Sequence, residues 1–239
     1  MTFTIAHRGL ARDGARENTL DAIAAALDHV SVVEIDVRCT HDAVPVCTHD
    51  ASLARTHDID RKVGQLDAAA LRTLAADLPT LAEVLDLVAG RDGAVMLDVK
   101  VSRPRAIEAI ERVVAESRVE WNDGRQLRRG EPIDPATATF QSADAQLLQA
   151  LRSRTGAGCL ELIRGEATTR ELLLGAPFIT AYAQGVTIPD ALATSAVLRA
   201  LRGLRLGSYV YTINDQDRFD ALAAAGASGV YTDRVDEVA

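Results

Sequence analysis

Aromatic side chains are scarce in this sequence: Phe, Tyr and Trp together make up 4% of its 239 residues. Ala, Leu and Val carry the apolar content instead, which suits helices packed on a Val-rich sheet better than a β-sandwich. Cysteine is limited to Cys39, Cys47 and Cys159. This odd count, without C-x-x-C spacing, reads as reduced, packed thiols in a cytosol. No apolar run approaches the ~18 residues of a membrane span, and the first residues lack a basic segment followed by an apolar one. The expectation is a cytoplasmic protein without stable membrane insertion. Positive charge is in deficit too: 34 Asp and Glu against 26 Lys and Arg leave a formal net charge of -8. That balance gives no electrostatic footprint for nucleic acid or for an anionic membrane. A small anionic substrate would need a local positive site, from a metal or from a few Lys and Arg side chains.

What is present is the balance of a soluble globular protein with a sizeable core, at 48% apolar and 25% charged residues. Short Val/Ile-rich runs alternate with Ala/Leu-rich amphipathic segments from end to end, the pattern of βαβ units and a parallel sheet. The strand candidates are TFTIAH, VVEIDV, AVPVCTH, AVMLDVKV, TATF, CLELI, FITAYA, SYVYTIN and GVYT. A (β/α)8 barrel of ~250 residues needs only eight of these nine. Either AVPVCTH or FITAYA is expected to lie outside the barrel or not to be a strand. Residues 121–135, WNDGRQLRRGEPIDP, are rich in charge, Gly and Pro and read as a surface loop. Composition does not change across that stretch, and no repeat array or low-complexity segment interrupts the chain. The expectation is therefore one domain over residues 1–239.

Polar residues collect where the apolar runs end, which in such a barrel is where an active site forms. The first run ends in His7 and Arg8, and the third in His49 and Asp50. Within VVEIDV the period of two puts Glu34 and Asp36 on one face, with Val33, Ile35 and Val37 on the other. The same alternation pairs Asp98 with Lys100. Taken singly, each has an ordinary structural reading: an exposed edge, a hydrogen-bonded strand-end histidine, a simple ion pair. Taken together, three acids offer hard oxygen ligands of the kind Mg²⁺ or Ca²⁺ prefers. Two imidazoles can act as general acid and base, while Arg8 and Lys100 can neutralise phosphoryl oxygens. Phosphodiester cleavage needs that set of groups.

The motifs carrying these residues resemble those of the glycerophosphodiester phosphodiesterase family. H-R-G at 7–9, E-N-T at 17–19, E-I-D-V at 34–37, T-H-D-A-V-P-V at 40–46 and H-D at 49–50 come first. L-x-R-T at 53–56, P-T-L at 79–81, D-V-K at 98–100, Y-T-I-N at 211–214 and T-D at 232–233 follow in order. The resemblance implies a single-domain α/β TIM barrel and a phosphoric diester hydrolase. It implies that His7 and His49 are the acid-base pair, and that Glu34, Asp36 and Asp98 hold one divalent metal, Mg²⁺, Ca²⁺ or Mn²⁺. Arg8 and Lys100 would bind the substrate phosphate, with Glu17 and Asn18 in support.

The chain departs from the family pattern at four places. Arg16 replaces the Pro of P-E-N-T, Asp98 stands where Glu is usual, Tyr211 replaces a Trp, and the insertion between Ala51 and Leu78 is short. The implied reaction is hydrolysis of a small glycerophosphodiester to glycerol phosphate and an alcohol. One alternative is a phospholipase D-like or phospholipase C-like enzyme that releases a cyclic phosphate from a lysolipid, which Asp98 favours. The other is a non-catalytic metal- or phosphate-binding barrel, against which both histidines speak.

Overall fold

The computed structural model describes residues 2–11, 15–91, 93–121 and 138–238. Nine strands lie in these segments: β1 Phe3–His7, β2 Val32–Cys39, β3 Pro45–Cys47, β4 Ala94–Val99, β5 Thr139–Ser142, β6 Cys159–Leu162, β7 Gly185–Pro189, β8 Gly207–Tyr211 and β9 Gly229–Thr232. The α-helices among them are α1 Leu20–Leu27, α2 Ala54–His57, α3 Ala68–Leu74, α4 Leu81–Ala89, α5 Pro104–Glu116, α6 Ala145–Thr155, α7 Thr169–Ile179, α8 Ser195–Gly203 and α9 Gln216–Ala225. Eight parallel strands pair in the ring β1-β9-β8-β7-β6-β5-β4-β2, and β1 against β2 closes it. The fold is a TIM barrel with helices between the strands.

The ninth strand sits outside the ring. β3 runs antiparallel to the Val37–Cys39 end of β2, so only three residues of AVPVCTH form a strand, and none belongs to the barrel. FITAYA is not a strand either. A capping box between Thr168 and Glu171 starts α7, and Leu172, Ala176 and Ile179 turn inward at helical spacing. The helix therefore runs through Phe178 and Ile179, and residues 180–182 form a turn. The sixth barrel strand, β7, is GVTIP, a segment whose terminal Gly and Pro read as breakers in the sequence. Of the expected loop at 121–135, residues 122–135 lie outside the described residues.

The strand alternation sorts two cores. Val33, Ile35, Val37, Val95, Leu97 and Val99 face outward and pack with helix residues such as Ile23, Leu81 and Leu85. Ile5, Val32, Ala94, Met96, Leu160, Tyr209 and Tyr231 fill the barrel interior. A fully buried aliphatic side chain contributes roughly 1.5–3 kcal/mol, so the apolar half of each strand fixes its register. A third apolar cluster, with Val46, Leu53, Val63 and Leu71, packs the excursion between β3 and β4.

The polypeptide leaves β1 through a sharp turn. Arg8 (φ 63°) and Gly9 (φ 84°) both take the left-handed conformation. A Cβ on Gly9 would lie 2.7 Å from the Ala22 carbonyl carbon, and Leu10 N donates to Ala22 O at 2.8 Å. Glycine is required here both for its φ and for the close approach of α1. Gly9→Ala should destabilise the fold by roughly 1–3 kcal/mol, read from the urea midpoint. An unchanged midpoint would contradict this account of the turn.

Candidate active site

Strand register brings the sequence-predicted acids together. His7 pairs with Glu34 across β1 and β2, Asp36 pairs with Asp98 across β2 and β4, and Asp98 pairs with Gln141 across β4 and β5. Glu34, Asp36 and Asp98 are 2%, 1% and 4% exposed, so these are carboxylates withdrawn from water. Each offers an oxygen, and the three oxygens lie within 4.8 Å of one another. Lys100 stands between two of them, its Nζ 3.0 Å from Asp36 Oδ1 and 2.7 Å from Asp98 Oδ2.

Their electrostatics diverge. Burial and then the neighbouring Asp36 and Asp98 push the Glu34 carboxyl well above its ordinary range. Burial also raises Asp98, against the opposing pull of Lys100. Asp36 is buried as deeply, but Lys100, Arg8, His49 and the Asn18 amide outweigh the burial and hold it below its usual value. Lys100 stays charged because Asp98 and Asp36 more than offset its own desolvation. Glu34 Oε2 is buried with no hydrogen-bond partner, a costly state for a carboxylate oxygen. Three hard oxygen donors, one of them orphaned, fit a divalent cation of the Mg²⁺ or Ca²⁺ type.

The residues after β1 brace this cluster from behind. Asn18 adopts φ 60°, which Asn tolerates better than most residues. Its Oδ1 accepts from Asp36 N and its Nδ2 donates to Asp36 Oδ2, both at 3.0 Å. Thr19 caps α1 by accepting from Ala22 N, so E-N-T combines a site brace with a helix start. Arg8 Nε lies 3.1 Å from Asp36 Oδ2, close enough for charge pairing but without hydrogen-bond geometry. Its Nη1 donates to both oxygens of Glu17, at 3.2 and 3.4 Å. Glu17 also accepts from Arg55, and Arg55 Nε donates to Asp50.

Both predicted histidines are held through Nδ1. His7 Nδ1 meets Asp233 Oδ1 at 2.7 Å, and His49 Nδ1 meets Asp50 Oδ1 at 2.6 Å. Burial opposes ionisation of both aspartates, yet hydrogen bonds from His7 and Asn214 hold Asp233 low, and those from His49 and Arg55 hold Asp50 low. An ionised carboxylate only accepts, so Nδ1 carries the proton and Nε2 is left for chemistry. This tautomer follows from the hydrogen-bond partners.

His7, Arg8, Glu34, Asp36, His49, Asp98 and Lys100 line one cavity of about 340 Å³. Glu17 and Asn18 stand behind it and act on it through Arg8 and Asp36. Asp233, Asp50 and Arg55 carry no role in the sequence-based expectation, although they stand in the motifs T-D, H-D and L-x-R-T. That expectation also leaves out Gln141, Thr187 and Tyr231, which line the same cavity. Their side chains bond one another, with Thr187 Oγ1 and the Tyr231 hydroxyl donating to Gln141 Oε1 at 2.6 and 2.7 Å. The only signal for them was a polar residue on the inward face of each strand.

Comparison with known proteins follows the same lines. A family model described as the glycerophosphoryl diester phosphodiesterase family matches residues 7–237. No curated protein matches the chain in sequence. Among solved structures, the chain is similar to a glycerophosphodiester phosphodiesterase from Thermotoga maritima, with 23% identity, 99% of this chain and 96% of that chain covered, and a TM-score of 0.78. It is similar to an Oleispira antarctica phosphodiesterase in complex with the product sn-glycerol-3-phosphate, at 21% identity, 100% and 95% coverage and a TM-score of 0.80. A glycerophosphodiester phosphodiesterase from Agrobacterium tumefaciens matches at 23% identity, 99% and 98% coverage and a TM-score of 0.75. At these identities the structural likeness speaks for the shared barrel. The family model, running from His7 past Asp233, speaks for more: the chain belongs to the glycerophosphoryl diester phosphodiesterase family and is a phosphoric diester hydrolase.

Proposed function

We propose that the enzyme is a divalent-metal-dependent hydrolase of small glycerophosphodiesters, releasing glycerol phosphate and an alcohol by acid-base catalysis between His7 and His49. The observation that carries this reading is the orphaned Glu34 oxygen among three mutually close buried carboxylates, in a cavity that both imidazoles line. Glu34, Asp36 and Asp98 would hold the ion. When bound, a divalent cation of this type polarises a phosphoryl oxygen and lowers the pKa of an attacking hydroxyl.

The chain's own groups do the rest. Arg8 and Lys100 border the cavity as cations and would draw in and orient the phosphate. One histidine Nε2 takes the proton of the attacking hydroxyl, and the other gives a proton to the leaving oxygen. Asp233 and Asp50 hold each ring in the tautomer that permits this and stabilise its charged form. The nucleophile is water or the adjacent glycerol hydroxyl, the second giving a cyclic phosphate on the way. The Oleispira antarctica neighbour carries sn-glycerol-3-phosphate, the product type that this reading assigns here. The small substrate and the charge balance fit a cytoplasmic setting.

His7→Ala and His49→Ala should each lower kcat by about 10²–10⁴ with the fold retained by circular dichroism; full activity in either variant would remove that imidazole from catalysis. Chelation should abolish turnover, and Mg²⁺, Mn²⁺ or Ca²⁺ should restore it, while Glu34→Gln should lose metal binding in calorimetry. Undiminished activity after chelation would contradict the metal assignment. Because burial and the neighbouring Asp36 and Asp98 hold the Glu34 carboxyl well above its ordinary range, the ion competes with a proton there. Metal affinity should therefore fall as pH falls, with net proton release detected in buffers of different ionisation heat. Phosphorus NMR under single-turnover conditions should end on glycerol phosphate. An accumulating cyclic phosphate as the final product would support the lysolipid-cleaving alternative instead.

A further inference from the structure

A second cavity of about 370 Å³ adjoins the catalytic one. The two share His49, Asp98, Lys100, Leu162 and Arg164 as a common wall, so a phosphodiester held at that wall would have space on either side for its two alcohols. The second chamber adds Arg38, Ser102, Ser142 and Asp144. Most of its polar groups are already engaged. Ser142 Oγ donates to Val99 O at 2.8 Å and accepts from Asp144 N. The Asp144 carboxylate caps α6, accepting from Gln146 N and Leu147 N. Asp98 is paired with Lys100.

Two guanidinium groups are not fully engaged in this way. Arg38 uses only Nε, donating to His49 O at 2.8 Å, and has no ion pair among the described residues. The Arg164 side chain has no hydrogen bond or ion pair to any described residue. The backbone that carries it is nevertheless tied from behind. Tyr211, the residue that replaces the family's Trp, donates its hydroxyl to the carbonyl of Ile163 at 2.7 Å. That bond ties the end of β8 to the segment that carries Arg164. Among the described residues no Phe, Tyr or Trp lines the second chamber, so they build no cage of the kind by which a quaternary ammonium is recognised.

We propose that this chamber is the subsite for the leaving alcohol, where Arg38 and Arg164 select a polyhydroxylated alcohol over a cationic one such as choline or ethanolamine. The proposal rests on the glycerophosphodiesterase reading above. Guanidinium N–H groups find acceptors in a polyol, whereas a cationic head group meets like charge and no aromatic face. A site built to hydrogen-bond a substrate discriminates strongly against one that leaves those donors unmet.

The test compares kcat/KM of the metal-loaded enzyme on glycerophosphoglycerol, glycerophosphoinositol, glycerophosphocholine and glycerophosphoethanolamine, for wild type, R164Q and Y211F. The two polyol diesters should exceed the two cationic ones by about tenfold or more. R164Q should bring that ratio close to unity, and Y211F should move it the same way by a smaller factor. Y211F keeps the test open where R164Q fails to fold. Equal or faster cleavage of the cationic diesters by wild type overturns the subsite. An R164Q enzyme that loses activity equally on all four also overturns it, because Arg164 then serves the shared phosphoryl group. Absence of turnover on every diester refutes the underlying reaction, a result distinct from activity without preference.

Discussion

The structure is organised around negative charge withdrawn from water inside a barrel. Glu34, Asp36 and Asp98 occupy inward positions that a parallel barrel normally fills with aliphatic side chains. An isolated buried carboxylate is too costly to persist ionised. Lys100 and Arg8 offset the charges of Asp36 and Asp98, and the Glu34 carboxyl is pushed toward its neutral form. Removing a partner from such a buried set costs more than building it contributes. The cluster is therefore poised for a cation and only partly satisfied without one.

Charge compensation then spreads outward in one continuous chain of ion pairs. Arg8 reaches Glu17, Glu17 reaches Arg55, Arg55 reaches Asp50, and Asp50 holds His49. Arg55 sits on α2 in the short excursion after β3, so a segment outside the barrel positions both Arg8 and one imidazole. Exposed ion pairs contribute little to stability. Their value here is geometric, since a displacement of about 1 Å at a catalytic group can cost 10²-fold in rate. The other imidazole is held separately by Asp233, just after the barrel's last strand, and Asp233 itself accepts from Asn214 beyond β8.

Much of this was legible in the sequence because a strand's period of two is simple. VVEIDV and MLDVK declare which residues share a face, and the register carried Asp36 to Asp98 as that alternation required. The expected packed thiols are also found, with Cys39, Cys47 and Cys159 buried and free. Burial pushes Cys39 and Cys159 up to about 12, far from any reactive thiolate. Contacts between distant segments were not legible: His7 and Asp233 are 226 residues apart. GVTIP is absent from the strand candidates, and between its terminal Gly and Pro it offers only three residues of strand-type composition. Conversely, FITAYA has β-type composition, but the cap at Thr168 and the inward spacing of Leu172, Ala176 and Ile179 made it the end of a helix.

The central claim is that Glu34, Asp36 and Asp98 form one divalent-cation site, completed by the ion and not by Lys100 alone. Anomalous diffraction from crystals soaked in Mn²⁺ tests it most directly. The account predicts a single strong peak bounded by the three carboxylates, with Glu34 Oε2 among the ligands. A barrel interior without a peak, with Lys100 Nζ still bridging Asp36 and Asp98 and the manganese bound elsewhere, would contradict it.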